Sequence, residues 1–380
     1  MQQQPNQTHL AEKTDYKKTY MKKKLHKIHS KLAPLTAVHH LNRKGAIALI
    51  AILAILTIAG ISVLTMLTSH PIQSPVARYV YIDEDDNLDS VCVKMERDLQ
   101  AKSLTGLRLL GNLTSYKNHI HTGAYRFGQD DHTLKIFRDL RAGQQTPVKM
   151  VVPSVRTIGQ LIARVAPQIM ADSAQIQQLI ADSAYIDSLG FNKQTLPALF
   201  IPNTYEVYWN MNARAFIRRM QREYEVFWNS QRKQKAKALQ LDPIEVSILA
   251  SIVEEETANN AEKPRVAGLY WNRLQRGIPL QADPTIKFSL QDFGLRRILF
   301  KHLEVESPYN TYKHVGLPPG PIRIPSLVGL NSVLNREEHK YLYMCAKEDF
   351  SGTHNFAKTL SQHNANARRY QQALNKRKIK

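Results

Sequence analysis

Three consecutive glutamates, Glu254-Glu255-Glu256, close an apolar stretch that begins at Pro243. The spacing predicts a helix over Pro243–Glu256 with its apolar stripe on Leu249, Ile252 and Val253. Position 256 lies four and three residues beyond the last two of these, so Glu256 projects from the buried face, while Glu254 and Glu255 are rotated toward solvent. A carboxyl group on an apolar face loses water, which disfavours its charged form and raises its pKa. An acid still protonated near neutral pH is what glycoside cleavage requires of a general acid. A run of three glutamates at a helix end puts one of them near the apolar face whatever its use, so periodicity alone leaves mere tolerance open.

The elements that must position this group are mostly helical beyond about residue 155. Ala213–Ser230 reads as a helix, and another begins near Pro264 and runs through Val266, Leu269, Tyr270 and Leu274 to a stop at Gly277. From Leu280 to Pro325 the chain is rich in Pro, Gly, Asn and Tyr, which predicts loops held by specific contacts. Tyr341–Ala346 reads as a buried strand, and Leu360–Leu374 as a closing helix. Upstream, short alternating segments such as Arg78–Asp83 mix with helical ones such as Leu88–Gln100, which predicts a small α+β module through about residue 150. A helix with Ile158, Leu161, Ile162 and Val165 on one face follows Val151-Val152-Pro153. No internal repeat is apparent.

From Gly45 to Leu67 the chain carries 23 residues without a charge, and the next Asp, Glu, Lys or Arg after Lys44 is Arg78. About 20 apolar residues cross a bilayer core. The long basic lead and the exit Thr68-Ser69-His70-Pro71 argue for a retained anchor over a cleaved signal peptide. Arg43 and Lys44 abut the span, so the N-terminus is expected in the cytoplasm and the rest outside. Ile72–Ala77 reads as a short polar linker. The formal net charge is +20, but residues 1–44 hold ten Lys/Arg against two acidic residues, and no nucleic-acid motif accompanies the remainder. No nucleic-acid partner is expected; a basic outer surface also suits an anionic polymer. Cys92 and Cys345 lack metal-ligand spacing, and their pairing stays open. His354 and His363 lack a third ligand, so neither metal nor cofactor is expected.

Seven blocks between about Ile248 and Asn364 occur in an order that resembles the YceG-like endolytic murein transglycosylases. They are Leu249–Thr257 (LASIVEEET), Asn272-Arg273-Leu274, Leu280–Thr285 (LQADPT), Ser307–Tyr312 (SPYNTY), Gly316–Ile322 (GLPPGPI), His354–Phe356 (HNF) and His363-Asn364. Gly123–Phe127 and Ile201–Trp209 also look like family segments. Departures are small: Glu255 in the middle of the triplet, Ala282 before Asp283, and Pro321 and Arg323 in the proline-rich loop.

The resemblance implies an α+β single-pass protein of the cytoplasmic membrane: a basic cytoplasmic tail (1–44), a transmembrane helix (45–67), a LysM-like module (68–155) and a mostly helical, lysozyme-related catalytic domain (156–380). It implies a lyase that cuts the MurNAc–GlcNAc bond of nascent glycan strands on the outer, periplasmic side, leaves 1,6-anhydro-MurNAc ends and so terminates strands. Peptidoglycan synthases would be candidate partners. The family's catalytic glutamate falls on Glu256, the residue that the helical face picks out. Asp283 could be a second carboxylate or a turn residue before Pro284. Gln281, Asn310 and Tyr312 could hydrogen-bond sugar groups, and His354, His363 and Asn364 could orient the site. The alternatives are a hydrolytic muramidase with Asp283 or Glu304 as second carboxylate, and a glycan-binding scaffold of wall synthesis.

Overall fold

The computed structural model describes Lys22, residues 43–295 and residues 297–377. The basic tail expected over residues 1–44 thus lies outside the described residues, apart from Lys22, Arg43 and Lys44. Helix α1 (Arg43–Thr68) has a mean hydropathy of 2.9 and no buried residue. Its 26 residues span roughly 39 Å. Among the described residues it is the one helix long and apolar enough to cross a membrane.

The stretch after α1 is not a free linker. Ser69 Oγ meets Thr133 Oγ1 at 3.0 Å, the Lys102 amide donates to the Pro71 carbonyl at 2.7 Å, and Ile72 forms an isolated bridge with Ala101. Ile72 and Ser74 are buried, because the isoleucine completes the core of the unit that follows.

That unit comprises β1 (Arg78–Ile82), α2 (Leu88–Leu99), α3 (Thr105–Leu113), β2 (Gly123–Phe127) and α4 (Thr133–Ala142). The alternation in β1 buries Val80 and Ile82, and α2 adds Val91, Cys92, Met95 and Leu99 at helical spacing. Cys92 is a buried free thiol, and Cys345 is free as well.

The second unit comprises β3 (Val148–Val152), α5 (Ile158–Val165), α6 (Ser173–Ala181), α7 (Ser183–Ser188), β4 (Asn203–Val207) and α8 (Ala213–Phe227). Residues on both sides of position 155 share its core. It repeats the first unit, contrary to the reading of the sequence. In both, two five-residue strands pair antiparallel, with Val80 opposite Tyr125 and Met150 opposite Tyr205. Tyr125 donates to the His121 carbonyl and Tyr205 to the Ile201 carbonyl, each four residues back. Seven residues after each tyrosine stands a helix N-cap, His132 or Asn212. Ile136, Phe137 and Leu140 in one helix correspond to Phe216, Ile217 and Met220 in the other, and all are buried. The repeat escapes sequence comparison because apolar residues exchange freely while only their spacing persists.

The remainder comprises α9 (Ser230–Ala238), α10 (Pro243–Glu256), α11 (Lys263–Gln275), α12 (Asp283–Leu290), α13 (Phe300–Leu303), α14 (Leu327–Leu334), β5 (Tyr343–Ala346), β6 (His354–Ala357) and α15 (Leu360–Lys376). Its core is built on α10, α11 and α14, through Val246, Leu249, Ile252, Val253, Val266, Leu269, Leu330 and Val333. Three expectations change. The helix expected over Ala213–Ser230 stops at Phe227 and restarts at Ser230, because the Asn229 side chain caps the Arg232 amide. The expected loop region holds α12, started by Pro284 and anchored by buried Thr285 and Ile286. Strand β5 is half-buried rather than buried, since it forms an edge hairpin with β6.

Candidate active site

Helix α10 starts from a strong signal: Asp242 and Glu245 form a capping box around Pro243. Every residue from Val246 to Val253 is buried, so the helix runs through the core and delivers its C-terminal glutamates at fixed directions. Consecutive helical residues are about 100° apart, and the three carboxylates accordingly reach three different surroundings.

The expectation that Glu254 and Glu255 face solvent is overturned; their side chains are 12% and 11% exposed. Glu254 accepts from Lys263 Nζ at 2.9 Å and from Ser326 Oγ at 2.8 Å. Glu255 takes a bidentate pair from Arg156, at 2.8 and 2.9 Å, and a third bond from Arg323 at 2.8 Å. Arg323 also donates to Ser154, so Glu255 ties α10 to the second unit. Both carboxylates are drawn inward because other segments close around the helix end and bring cations with them.

Glu256 borders a cavity of about 320 Å³ shared with Tyr270, Arg273, Gln281, Asp283, Tyr312 and His363. Burial pushes its carboxyl up to about 7; the Asp283 and Glu255 charges add to the rise, while the Tyr270 hydrogen bond and the Lys287 charge oppose it. The Tyr270 hydroxyl donates to Glu256 Oε1 at 2.7 Å. Burial, reinforced by the Glu256 charge, holds Tyr270 well above its usual range, so it stays a donor. With Oε1 occupied, Oε2 is the oxygen free to carry the proton.

Across the cavity the Tyr312 hydroxyl donates to Asp283 Oδ1 at 2.5 Å. Two separated stretches of sequence are knitted together to make that pair. The Gln281 amide donates to the Thr311 carbonyl, the Ala282 amide to Thr311 Oγ1, and Thr285 Oγ1 meets Thr311 Oγ1 at 2.9 Å. Gln281 adopts a left-handed φ of 53°, which turns the chain into α12. Its Oε1 accepts from Arg273 Nη2 at 2.6 Å.

Arg273 is 5% exposed and has no carboxylate partner among the described residues. It donates instead to the Pro279 and Leu342 carbonyls, and burial lowers its pKa. His363 lies against the Tyr343 ring with centroids 5.5 Å apart, and its buried Nδ1 has no partner among the described residues. Burial, and then the Arg273 charge, lower its pKa.

Of the residues picked from the sequence, Glu256, Gln281, Asp283, Tyr312 and His363 converge on the cavity. Asn310 does not. It is fully buried, its amide donates to the Leu303 and Val305 carbonyls, and its Oδ1 accepts from the Tyr312 amide. Its bonding capacity goes into shaping the loop that presents Tyr312, which replaces the sugar contact expected of it. His354 stands behind the site, with Nδ1 2.7 Å from Glu262 Oε2, an oxygen that also meets Thr257 Oγ1. Asn364 is exposed and outside the cavity. Glu304, the alternative second carboxylate, is 79% exposed beside Lys313 and also outside it. Tyr270 and Arg273 were missed. The signal was present, since both follow Val266 and Leu269 on the buried face of α11, where a guanidinium is as anomalous as a carboxylate.

Residues 80–369 match the YceG-like family. The chain is 38% identical over 129 residues to the endolytic murein transglycosylase of Bacillus subtilis, covering 34% of this chain and 35% of that protein. It is 26% identical over 310 residues to the endolytic murein transglycosylase of Streptococcus pneumoniae strain D39, covering 73% of this chain and 56% of that protein. The matches thus span between a third and just over half of these relatives' lengths. A crystal structure of a yceG-like protein from Listeria monocytogenes superposes with a TM-score of 0.50 at 23% identity, over 77% of this chain and 99% of that one. That likeness concerns the fold.

Proposed function

The chain belongs to the YceG-like family, and on that premise we propose that it is a lytic transglycosylase that cuts peptidoglycan between MurNAc and GlcNAc. The observation that carries the proposal is Glu256: a carboxyl group with its pKa pushed up to about 7, held by Tyr270 at 2.7 Å, in a cavity lined by hydrogen-bonding side chains. Protonated Glu256 gives its proton from Oε2 to the bridging oxygen as the bond to MurNAc C1 breaks, and GlcNAc leaves with a free 4-hydroxyl. Positive charge develops at C1. The Glu256 carboxylate then takes the proton of the MurNAc C6 hydroxyl, whose oxygen closes on C1 of the same sugar. The product is a 1,6-anhydro end, no water is consumed, and Glu256 is protonated again. Attack from within the sugar makes a protein nucleophile unnecessary. Asp283, turned toward the cavity by Tyr312, is suited to offset the charge at C1.

The remaining parts of the reading follow the same premise. Helix α1, with Arg43 and Lys44 at its start, would anchor the chain once in the cytoplasmic membrane, with the N-terminus in the cytoplasm and the catalytic unit outside. The β1-α2-α3-β2 order supports a LysM-like module next to the membrane, with the catalytic domain built on α9–α15 rather than beginning at residue 156, since β3 and β4 pair across that boundary. Cuts within nascent strands would terminate their growth, beside peptidoglycan synthases. A hydrolytic muramidase is the second reading, because Asp283 borders the same cavity as Glu256.

Mass spectrometry of sugars released from peptidoglycan by the full-length protein in detergent, with Glu256→Gln alongside, tests this. Anhydro-MurNAc ends from the parent and none from the variant are expected. Reducing ends would establish the hydrolase instead, and no cleavage by folded parent protein would sink both.

A further inference from the structure

The second unit holds an opening beside the ends of β3 and β4. It has a volume of about 570 Å³ and is bordered by Pro147, Glu206, Tyr208, Met211, Arg219 and Arg222, among others. In the first unit Ala77 corresponds to Pro147, and Gly128 to Tyr208. There the glycine closes the gap, since any Cβ on it would come 3.1 Å from the Ala77 Cβ. Lys135, bonded to Asp131 and Asp139, fills the space that Ala215, Met211 and Arg219 line in the second unit. The second copy therefore differs from the first by an opening with an exposed aromatic at its edge and one unpaired guanidinium, Arg222, alongside the Glu206 carboxylate.

Tyr208 is 56% exposed. Arg219 is committed to Glu223, the Glu206 carbonyl and the Tyr205 ring, whereas Arg222 has no partner among the described residues. More aromatics begin where the opening ends. The Tyr79 hydroxyl donates to the Pro147 carbonyl at 2.9 Å, Tyr79 stacks on Tyr81 at 6.0 Å, and Tyr81 meets Trp209 at 5.1 Å.

We infer that this opening is a second binding site for the glycan strand, separate from the cavity at Glu256 and resting on the proposed action on peptidoglycan. Flat apolar faces with polar edges suit the C–H faces and hydroxyls of pyranose rings. An unpaired guanidinium suits a carboxylate of a stem peptide. Peptide-bearing glycan carries both groups on one molecule. The placement fits as well. Pro147 lies at one end of β3, and Ser154 and Arg156, which join the Glu255 network, lie just past the other. The separation is roughly 20 Å at strand rise. One strand long enough to reach past β3 and the Arg156–Glu255 contact to Glu256 engages both sites, and the outer site holds it while the inner one cuts.

The test measures binding by full-length Glu256→Gln protein in detergent, with Tyr208→Ala or Arg222→Ala added. The probes are long peptide-bearing strands, the same strands stripped of peptides, tetrasaccharides too short to bridge the sites, and poly(glycerol phosphate). Both added substitutions are at exposed side chains, and tetrasaccharide binding reports that the inner site is intact. The expected result is about tenfold weaker binding of long peptide-bearing strands in each variant. Stripped strands should respond to Tyr208→Ala only, and tetrasaccharides to neither. Unchanged long-strand binding in both variants overturns the inference, as does an Arg222 effect confined to the phosphate polymer. Anhydro ends from the Glu256-intact protein combined with unchanged binding would remove the outer site and leave the proposed reaction standing. Tyr208-dependent binding without any cleavage would do the reverse.

Discussion

Replacing Glu256 with glutamine should abolish cleavage and stabilise the fold, but only at the pH where the carboxylate is a burden. Burial raises its pKa from an ordinary 4.5 to about 7, which corresponds to a penalty of up to roughly 3 kcal/mol. The sign follows from linkage. Below about pH 4.5 the group is protonated whether the chain is folded or not, and it costs nothing. Between 4.5 and 7 the unfolded chain releases the proton first, so stability falls as pH rises. Above 7 the penalty is complete. Glutamine removes the charge yet keeps an oxygen for the Tyr270 hydroxyl, now at 2.7 Å from Oε1. The variant should therefore melt like the parent near pH 4 and higher than it near pH 8.5, by roughly 6–12 °C for a unit of this size. Equal melting temperatures at pH 8.5, or the same difference at both pH values, would show that Glu256 is not desolvated in the way the cavity implies.

Tyr270→Phe removes a hydrogen bond that lowers the Glu256 pKa, so the alkaline limb of the kcat/KM profile should move to higher pH. Activity at the optimum should fall about tenfold, because the acid is no longer held; an unmoved limb would argue against the assignment. Glu255→Gln leaves the half-buried Arg323 without its counter-charge, and should lower stability by about 3 kcal/mol in denaturant titration. The same change removes a charge that raises the Glu256 pKa, so the alkaline limb should shift the opposite way from that of Tyr270→Phe. Gly268→Ala, ordinarily favourable in a helix by about 1 kcal/mol, should here lower the melting temperature. Its Cβ would lie 2.3 Å from the Glu337 carbonyl oxygen, where α11 passes close under the chain.

Glu256 was legible in the sequence because a periodic pattern ties it to a buried face, whereas Gln281, Asp283, Tyr312 and His363 were picked through the resemblance alone. Helix α10 runs from Pro243 to Glu256 as read, because a capping box opens it and an unbroken apolar run fills it. Glu256 was therefore placed correctly from spacing alone. Periodicity reports which way a side chain leaves its own helix and nothing about what arrives from elsewhere. Glu254 and Glu255 point away from the α10 stripe, yet Lys263 from the start of the next helix, Arg156 from the second unit, and Arg323 and Ser326 from one loop come in to meet them. Asn310 failed for the same reason. Its side chain shapes its own loop, a use that an isolated SPYNTY string does not distinguish from contact with sugar.

The glutamate triplet has a consequence for how the site is built. A helix that ends in three carboxylates should be disfavoured, since the dipole leaves negative partial charge at that terminus. Here two of the three are neutralised by cations, and burial pushes the third up to a pKa of about 7, so a large share of it stays protonated near neutral pH. The helix terminus and the adjacent Glu255 charge then act on Glu256 in the same direction as desolvation. A neutral helix end in place of the triplet would leave the acid with a lower pKa and less of its protonated form near neutral pH. The clamps on Glu254 and Glu255 hold the helix end in place against α11, α14 and the second unit, so Tyr270 and Asp283 keep their positions relative to Glu256. On this account the two outer glutamates act through the third: losing either should change the pH profile of cleavage as well as the stability of the fold.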